Sequence, residues 1–547
     1  MTLKHKHSFA HIIYTQSRIS VIHRVSRGLP ESLPRKTRES IAMEDVRHLF
    51  RRQLHLLSSA PFIVLSLLVL LLLPKLLRRF AANLPPGPLG LPFIGCLYRY
   101  AQGITPQTLA YLTSKYGDIF MVKLGQRNVV IVSSPELATE VLHTNGVEFA
   151  SRTRSLLFNV ITGTGQDLVF ADYGEHYKNV RKICTPPFFS GKAIQRCREG
   201  WEEEITMIVK YIRDVPSAST SGLIIKDYLL LMMYNVVYRM LFSRRFSGLD
   251  DPLYMEIMGL NAKSRSLIIN PLSRHGEFFP SLKPFMGKFL DQVRDANQQR
   301  MDFFRRAFLE ELKKQGGATQ AAVGCILDAQ ARGEITEETV LYLIQNINVA
   351  GIDTTVAAME WGIGELVNNS HTQDEILDEL DKVVGKGVPL TEPDIARLPY
   401  LQAVVKEVLR YHMVIPMLLP HMNLQPAKIG KYDIPAGSKV LINAWRMAMD
   451  PNHWEKPDLF DPARFLKTNI SMSGNDMRFI PFGSGRRSCP GMAMAVTIMS
   501  LTFGRLVQEF RLLPASGDKV ELKPIETLFD AHFLAVKSKI ILEPRNQ

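Results

Sequence analysis

The feature that most constrains this chain is a single cysteine in a glycine-rich loop near the C-terminus. Cys489 lies in the stretch FGSGRRSCPG, residues 482–491, and an apolar run, residues 492–506, follows at once. The run predicts a helix, so Cys489 precedes a helix N-terminus, where unpaired backbone N–H groups and the helix dipole favour negative charge. This environment predicts a lowered thiol pKa and a thiolate that can bind a metal.

Other residues of the same loop support a ligand site. Glycines such as Gly483 and Gly491 let backbone N–H groups approach the sulfur, and such donors tune the potential of a bound metal. Phe482 adds an apolar wall, and Arg487 adds a cation two residues before the cysteine. A buried structural residue is the alternative for a lone cysteine. The complete spacing F-x-x-G-x-R-x-C-x-G favours the ligand.

These ten residues resemble the haem-binding loop of the cytochrome P-450 monooxygenases. The resemblance implies a mainly α fold with small β-sheets (α+β), with haem b as cofactor and Cys489 as the axial thiolate of its iron. It also implies that Phe482, Gly483, Arg487 and Gly491 contact the haem. A thiolate ligand pushes electron density toward iron and favours O–O cleavage.

Composition argues against a disulfide-rich protein and against a nucleic-acid-binding protein. The 547 residues are 46% hydrophobic and 22% charged, which is ordinary for a globular chain. Five scattered cysteines imply no disulfide framework and a reducing compartment for the catalytic part. The net charge is +13, of which residues 1–52 contribute +7 through eleven Lys and Arg against four Asp and Glu. The remainder lacks the basic and aromatic pattern of nucleic-acid binding, so we expect no nucleic-acid partner.

The N-terminal region is predicted to be separate from the catalytic domain. Residues 1–50 are basic and lack an apolar period, which predicts an unstructured extension, and Met43 offers an alternative start. Their Arg-rich and Ser-rich composition also fits a transit peptide, which would direct the chain to an organelle such as a plastid.

A membrane anchor is predicted within residues 51–80. The apolar run 56–73 approaches the ~20 residues that cross a bilayer. Lys75 and Arg78 follow it, and cationic flanks tend to stay cytoplasmic. We therefore expect a single-pass anchor in contact with membrane lipid and a cytosolic catalytic domain, although a buried core helix is the alternative.

The rest of the chain is predicted to begin with a hinge and a small sheet. Residues 81–95 are rich in proline, which predicts a stiff hinge that resembles that of microsomal family members and implies the endoplasmic reticulum membrane. Residues 96–547 form the predicted catalytic domain. Its residues 118–132 have a hairpin pattern, and Ser134 with Pro135 then predicts the start of a helix. Beyond residue 150 most segments have helical periodicity.

A second motif, AGIDTT at residues 350–355, lies inside a helix predicted over residues 338–366. Gly351 costs about 1 kcal/mol relative to alanine in mid-helix, and its missing side chain leaves room for another group. Thr354 is expected to hydrogen-bond the carbonyl four residues back. A kinked core helix with a solvated Asp353 is the alternative. The resemblance implies instead an oxygen-activating helix, with Ala350 beside the haem and Asp353 and Thr354 as catalytic proton donors.

Two more segments resemble haem-contacting parts of the family. Residues 174–182 resemble a helix that normally carries W-x-x-x-R; here Tyr177 replaces the tryptophan and Arg181 is retained. The resemblance implies that both reach a haem propionate, as does His421, which occupies the place of a propionate-binding cation. Lys178 and Lys182 either form a solvated basic face or meet an acidic redox partner.

A buried ion cluster is also implied. Glu407 and Arg410 are three residues apart on one helix face, where they can pair, although E-x-x-R alone is usually a surface pair. The downstream sequence PARF, residues 462–465, matches the family's PERF with alanine in place of the acid. The resemblance implies a structural triad of Glu407, Arg410 and Arg464 behind the haem.

Several segments resemble, more narrowly, the plant trans-cinnamate 4-hydroxylases, including residues 133–138, 231–235 and 420–424. The resemblance implies hydroxylation of a small aromatic acid with O2, in phenylpropanoid metabolism, and Asn346, Ile415 and His412 as pocket contacts. Electrons would come from NADPH through NADPH-cytochrome P-450 reductase, because the chain has no flavin or Rossmann motif.

Two departures affect the choice of substrate. The hydroxylases carry arginine at the position of His412 and lysine at that of Val536, which is next to Lys537. An aromatic carboxylate needs a cation or donors in an apolar pocket, and a neutral histidine anchors it less well. Two alternatives therefore stay open: the same chemistry on another small aromatic or apolar substrate, and a haem-binding protein without turnover.

Overall fold

A 32-residue helix, Glu337–Asn368, is the longest described element of the computed structural model, and most of its residues are buried. Thr336 caps its N-terminus by accepting a hydrogen bond from the Thr339 N–H. Glu337 and Glu338 lie in the first turn, where the helix dipole favours negative charge. The predicted helix over residues 338–366 is therefore confirmed.

The structure describes residues 83–99, 104–153, 155–314, 322–525, 533–534 and 537–545, and nine isolated positions before residue 83. The chain divides into two units, Met1–Asn83 and Leu84–Gln547. The predicted extension and anchor lie almost entirely outside the described residues. Among the helices that are described, none has the length and apolar content needed to cross a membrane.

The described part of the chain contains seventeen α-helices, which confirms a mainly helical fold. They are α1 Pro106–Tyr116, α2 Pro135–Thr139, α3 Leu156–Ile161, α4 Glu175–Cys184, α5 Gly191–Arg213, α6 Pro216–Thr220, α7 Ile225–Phe242, α8 Pro252–Ile268 and α9 Pro271–Phe278. They continue with α10 Gly287–Phe304, α11 Glu310–Lys314, α12 Val323–Ala331, α13 Glu337–Asn368, α14 Ser370–Val383, α15 Pro399–Tyr411, α16 Ala444–Ala448 and α17 Met492–Glu509.

Ten short strands form three small sheets in the described residues. They are β1 Ile119–Leu124, β2 Arg127–Val132, β3 Ser151–Arg152, β4 Leu223–Ile224, β5 His421–Met422, β6 Ala427–Ile429, β7 Tyr432–Ile434, β8 Lys439–Ile442, β9 Phe510–Pro514 and β10 Lys539–Pro544. The orders are β1-β2-β8-β5-β3, β4-β10-β9 and β6-β7. β1 and β2 pair antiparallel, and Ser134 caps α2 with Pro135 in its first turn, so the hairpin and helix start are confirmed.

The segment predicted as a hinge is attached to the first sheet. The Met121 N–H donates to the Pro86 carbonyl at 2.8 Å, and Gly95 forms a bridge with Leu124. The turn between β1 and β2 also holds the end of α9 and the segment after it, because the Gln126 N–H donates to the Phe278 carbonyl and its Nε2 donates to Ser281 Oγ, both at 2.8 Å. Two segments far apart in sequence therefore flank one turn.

Exposed apolar side chains project from both of these segments. Leu89, Phe93 and Phe285 are 75%, 74% and 85% exposed. Together with Leu91 and Leu282, which are also exposed, we call them the apolar turn surface. Large contiguous apolar surfaces of soluble proteins commonly mark interaction sites.

Candidate active site

The loop that carries Cys489 is closed by backbone hydrogen bonds and requires glycine at two positions. The Cys489 N–H donates to the Phe482 carbonyl at 2.9 Å. Gly483 and Gly485 have φ angles of 67° and 68°, in the left-handed region. A Cβ on Gly485 would also lie 2.3 Å from the Leu142 carbonyl oxygen. The loop then leads directly into α17, with Gly491 as its N-cap.

Side chains of helix α4 are hydrogen-bonded to the backbone of the loop that carries Cys489. The Tyr177 hydroxyl donates to the Arg486 carbonyl at 2.8 Å, and both terminal nitrogens of Arg181 donate to the Ser488 carbonyl at 3.1 Å. The resemblance implied that Tyr177 and Arg181 reach a propionate. The structure places their donors on the backbone next to the cysteine instead.

The Cys489 thiol is accessible to solvent but is surrounded by protein on most sides. Partial burial raises its pKa, whereas a hydrogen bond from the Gly491 N–H and the charge of Arg181 lower it. The prediction of a net lowered pKa is therefore wrong for the thiol in this structure, because desolvation outweighs the two favourable effects. A metal ion at the sulfur would reverse that balance, since a coordinating thiol is deprotonated.

Three basic side chains lie together beside the loop. Arg152 on β3 pairs with His421 on β5 in the antiparallel register, and its Nη1 donates to the Leu419 carbonyl at 2.7 Å. Arg487 donates from Nε to the Ala150 carbonyl at 2.7 Å, and its guanidinium lies 3.7 Å from the centroid of the Tyr177 ring. His421 Nδ1 donates to the Phe149 carbonyl at 2.9 Å. We call Arg152, His421 and Arg487 the basic group.

The electrostatics of the basic group indicate an anion site. Burial and the neighbouring Arg487 lower the pKa of Arg152 to about 9, and burial and Arg152 lower that of His421 to about 3. Burial also lowers the pKa of Arg487. Arg152 Nε and Arg487 Nη1 are buried without a hydrogen-bond acceptor. A ligand that carries carboxylates would supply acceptors and opposite charge, so these residues fit the propionates of haem b.

The middle of α13 has an open side near its predicted motif. Val349 is 42% exposed and Ala350 is also exposed, although most of the helix is buried. A Cβ on Gly351 would lie 3.7 Å from Val237 of α7, so Gly351 faces a packed neighbour and is not the source of the opening. The open side is formed by the two preceding residues.

Asp353 and Thr354, the acid and the alcohol of the motif, contact different neighbours. Thr354 Oγ1 donates to the Ala350 carbonyl at 2.6 Å, which confirms the predicted bond to the residue four positions back, and α13 remains continuous there. The Asp353 carboxylate lies 3.5 Å from Arg265 of α8. Burial raises the pKa of Asp353, although Arg265, Lys226 and Arg300 oppose this effect. Asp353 and Thr354 are adjacent on the helix but share no hydrogen bond among the described residues.

Of the three predicted pocket residues, Asn346 lies one turn before Ala350 on α13, and Ile415 follows α15. Asn346 Oδ1 accepts hydrogen bonds from the Leu168 and Val169 N–H groups at 3.0 and 3.1 Å, so it joins α13 to the segment before α4. Ile415 is half-buried against the main core.

His412 has neighbours that differ from those predicted. Its Nε2 lies 2.6 Å from Glu365 Oε1, and its ring stacks on Trp361 with 4.2 Å between centroids. The imidazole therefore already has an anionic partner. Lys537, the sequence neighbour of Val536, pairs with Asp227 at 2.8 Å, and Val536 itself lies outside the described residues.

The predicted cluster of Glu407, Arg410 and Arg464 is present. Arg410 donates from Nε and Nη2 to the two carboxylate oxygens of Glu407, both at 2.8 Å, and Arg464 Nε donates to Oε1 at 3.1 Å. Glu407 and Arg410 are fully buried. The remaining Arg410 donors reach backbone carbonyls of Ala448 and Pro457.

Sequence reasoning missed two buried charged residues near the loop, Arg152 and Asp167. Asp167 is fully buried, and burial raises its pKa to about 6 against hydrogen bonds from Asn346 and Phe170. Neither residue lies in a recognisable local pattern. Arg152 becomes buried because β3 pairs with β5, which is about 270 residues away in the chain.

Comparison with known proteins gives consistent similarities. The cytochrome P450 family model matches residues 85–543. The chain is 47% identical over 479 residues to a trans-cinnamate 4-monooxygenase of Catharanthus roseus, covering 86% of this chain and 95% of that protein. One from Glycine max is 47% identical over 480 residues, or 94% of its length. A solved structure of zebra fish cytochrome P450 with progesterone matches at 28% identity with a TM-score of 0.70, covering 81% of this chain and all of that one.

Proposed function

Because this chain belongs to the cytochrome P450 family, we propose that it hydroxylates trans-cinnamate at the aromatic 4-position, in phenylpropanoid metabolism. The observation that carries this proposal is the similarity to trans-cinnamate 4-monooxygenases along nearly their whole length. The reaction consumes O2, two electrons and two protons. One oxygen atom enters the ring and the other leaves as water.

Haem b, when bound, supplies the iron at which oxygen is bound and activated. Cys489 would hold the iron through its sulfur, at the end of a loop that Tyr177 and Arg181 fasten to α4. Arg487 and His421, with Arg152, would hold the propionates, which supply the acceptors that the basic group lacks. Phe482, Gly483, Gly491 and Ala350 would complete the haem contacts.

The protons would be delivered from α13. The Thr354 hydroxyl would donate a proton while its oxygen stays near the Ala350 carbonyl, and Asp353, the preceding residue, would resupply it. Asn346 and Ile415 are the proposed substrate contacts. The pairing of His412 with Glu365 argues against a direct role of His412 in anion binding.

We further propose that the protein is a single-pass protein of the endoplasmic reticulum membrane that receives electrons from NADPH-cytochrome P-450 reductase. The apolar run 56–73 supports an anchor by its length. The apolar turn surface offers a second region that can enter a bilayer.

One experiment tests these proposals together. Membranes that contain the full-length chain and the reductase should convert cinnamate to its 4-hydroxylated product with NADPH, and Cys489→Ser should abolish conversion because a hydroxyl is a poor soft ligand. The activity should stay with the membranes in high salt. Conversion of another aromatic compound but not of cinnamate would refute the substrate, and release by salt alone would refute the anchor.

A further inference from the structure

Tyr177 contacts the loop that carries Cys489 through both its hydroxyl and its ring. The residue is 3% exposed on α4. Its hydroxyl donates to the Arg486 carbonyl at 2.8 Å and accepts a hydrogen bond from Arg181 Nη1 at 3.1 Å. A phenol can donate and accept at the same time, so the two bonds are compatible. The Arg487 guanidinium lies over the ring, 3.7 Å from its centroid.

The hydrogen bonds from α4 hold the loop backbone at two carbonyls just before Cys489. Arg181 donates from both terminal nitrogens to the Ser488 carbonyl at 3.1 Å. Tyr177 holds the carbonyl of Arg486, two residues earlier in the chain. Because the Ser488 carbonyl is part of the peptide bond to Cys489, these contacts restrict the backbone that places the sulfur. The Tyr177 hydroxyl also fixes the direction of the Arg181 guanidinium, since the two are hydrogen-bonded.

The ring of Tyr177 acts on a different part of the loop, the side chain of Arg487. Arg487 donates from Nε to the Ala150 carbonyl at 2.7 Å and from Nη2 to the Ala171 carbonyl. Its Nη1 is buried without an acceptor. The face of an aromatic ring attracts a cation that lies over it. The ring and the two carbonyls therefore hold the guanidinium in place and leave Nη1 for an anion.

Tryptophan, which the pattern W-x-x-x-R has at this position, could not make the same contacts. An indole N–H donates a hydrogen bond but offers no acceptor, so Arg181 would lose one of its two acceptors. The indole ring could still attract Arg487. The hydroxyl is therefore the feature that distinguishes Tyr177 from the tryptophan of the pattern, and it has a partner on each side.

We propose that Tyr177 is a positioning residue with two separable roles. Its hydroxyl, together with Arg181, fixes the backbone that carries the Cys489 sulfur. Its ring fixes the Arg487 guanidinium for a propionate of haem b. The inference rests on the haem site of the proposed function, but it does not depend on which substrate is hydroxylated.

The reduction potential of the haem-loaded, full-length protein tests the role of the hydroxyl. Tyr177→Phe keeps the ring and removes the hydroxyl, so Arg181 is held less firmly. Its charge then stabilises the more negative, reduced site less well, and the potential should fall. In the background of Arg181→Met, Tyr177→Phe should cause no further fall. Tyr173→Phe is the matched control, on a ring 5.8 Å from that of Tyr177, and should leave the potential unchanged.

The rate of haem transfer to an excess of a scavenging apoprotein tests the role of the ring. Tyr177→Leu removes the ring as well as the hydroxyl. Haem should therefore leave it about three- to tenfold faster than it leaves Tyr177→Phe, the range expected for one lost contact between a cation and a ring. In the background of Arg487→Met the same two variants should lose haem at equal rates, because the ring acts through that guanidinium.

The outcomes separate the two roles from each other and from the proposed function. An unchanged potential in Tyr177→Phe would refute the role of the hydroxyl, as would an equal fall in the background of Arg181→Met. If Tyr177→Leu still loses haem faster than Tyr177→Phe in the background of Arg487→Met, the leucine acts through lost packing and the role of the ring is refuted. A wild type without the red-shifted carbon-monoxide band of thiolate-ligated haem would instead refute the haem site itself.

Discussion

The cluster around Glu407 and the basic group beside Cys489 are both buried and charged, but only the first is electrostatically complete. Glu407 accepts hydrogen bonds from two arginines, whose other donors reach backbone carbonyls. In the basic group, Arg152 and Arg487 donate only to backbone carbonyls and each lowers the pKa of His421. In a complete cluster the loss of one partner leaves an uncompensated buried charge, whereas an incomplete one already contains repulsion that a bound anion relieves.

The largest effect should come from breaking the complete cluster. Glu407→Gln leaves Arg410 and Arg464 without a buried counter-charge, so we expect a loss of about 3–5 kcal/mol in the free energy of unfolding. Chemical denaturation measures this loss. Asp295→Asn, which removes an exposed partner of Lys263, is the matched control and should barely shift the midpoint. A Glu407→Gln midpoint close to that of the control would show that the cluster is not structural.

The stability of the haem-free protein should depend on pH because the basic group lacks a counter-charge. The pKa of His421 is about 3 in the folded protein against 6.5 ordinarily. Below pH 6.5 the unfolded chain therefore binds a proton that the folded protein does not, and the stability contributed by neutral His421 falls as the pH falls toward 3. Relative to His421→Gln, the wild type should lose about 1.4 kcal/mol per pH unit in this window.

Denaturation of the haem-free wild type and of His421→Gln between pH 7.5 and 5 checks this difference. The two curves should run in parallel above pH 7 and separate below pH 6. Parallel curves throughout the range would mean that His421 has the same pKa in the folded protein as in the unfolded chain, and the basic group would then exert no net repulsion on it.

A smaller effect should follow from removing one member of the basic group. Arg487→Met takes away one propionate donor, so haem should dissociate about tenfold faster, as expected for one lost charged hydrogen bond. The haem-free variant should lose much less stability than Glu407→Gln, because relief of the repulsion with Arg152 offsets the loss of the hydrogen bonds to the Ala150 and Ala171 carbonyls. Haem transfer to an excess of a scavenging apoprotein gives the rate. A haem-free variant destabilised as much as Glu407→Gln would place Arg487 among the structural residues.

Local sequence patterns were sufficient to predict several secondary-structure elements and part of the candidate site. The cap at Ser134, the β1–β2 hairpin and the Glu407–Arg410 pair each depend on residues within one turn or one hairpin, and all are present. The glycine-rich loop was also correctly located before a helix. These features need only short-range geometry, which spacing encodes.

Features that depend on distant pairing could not be predicted. His412 contacts Glu365, which lies on another helix, so its partner could not be inferred from either segment alone. The burial of Arg152 follows from the register of β3 with β5. The direction of the Cys489 pKa shift depends on how much protein surrounds the thiol, and desolvation of this kind is a property of the packed chain.

The attachment of α4 to the cysteine loop has a consequence for electron entry. Arg181 is hydrogen-bonded to the Ser488 carbonyl, and Ser488 is joined to Cys489 by one peptide bond. A route from the outer surface of α4 to the sulfur therefore crosses a single hydrogen bond and continues through covalent bonds. Lys178 and Lys182 lie on the same helix. An electron donor that docked against these lysines would therefore have a route to the sulfur with one hydrogen bond in it.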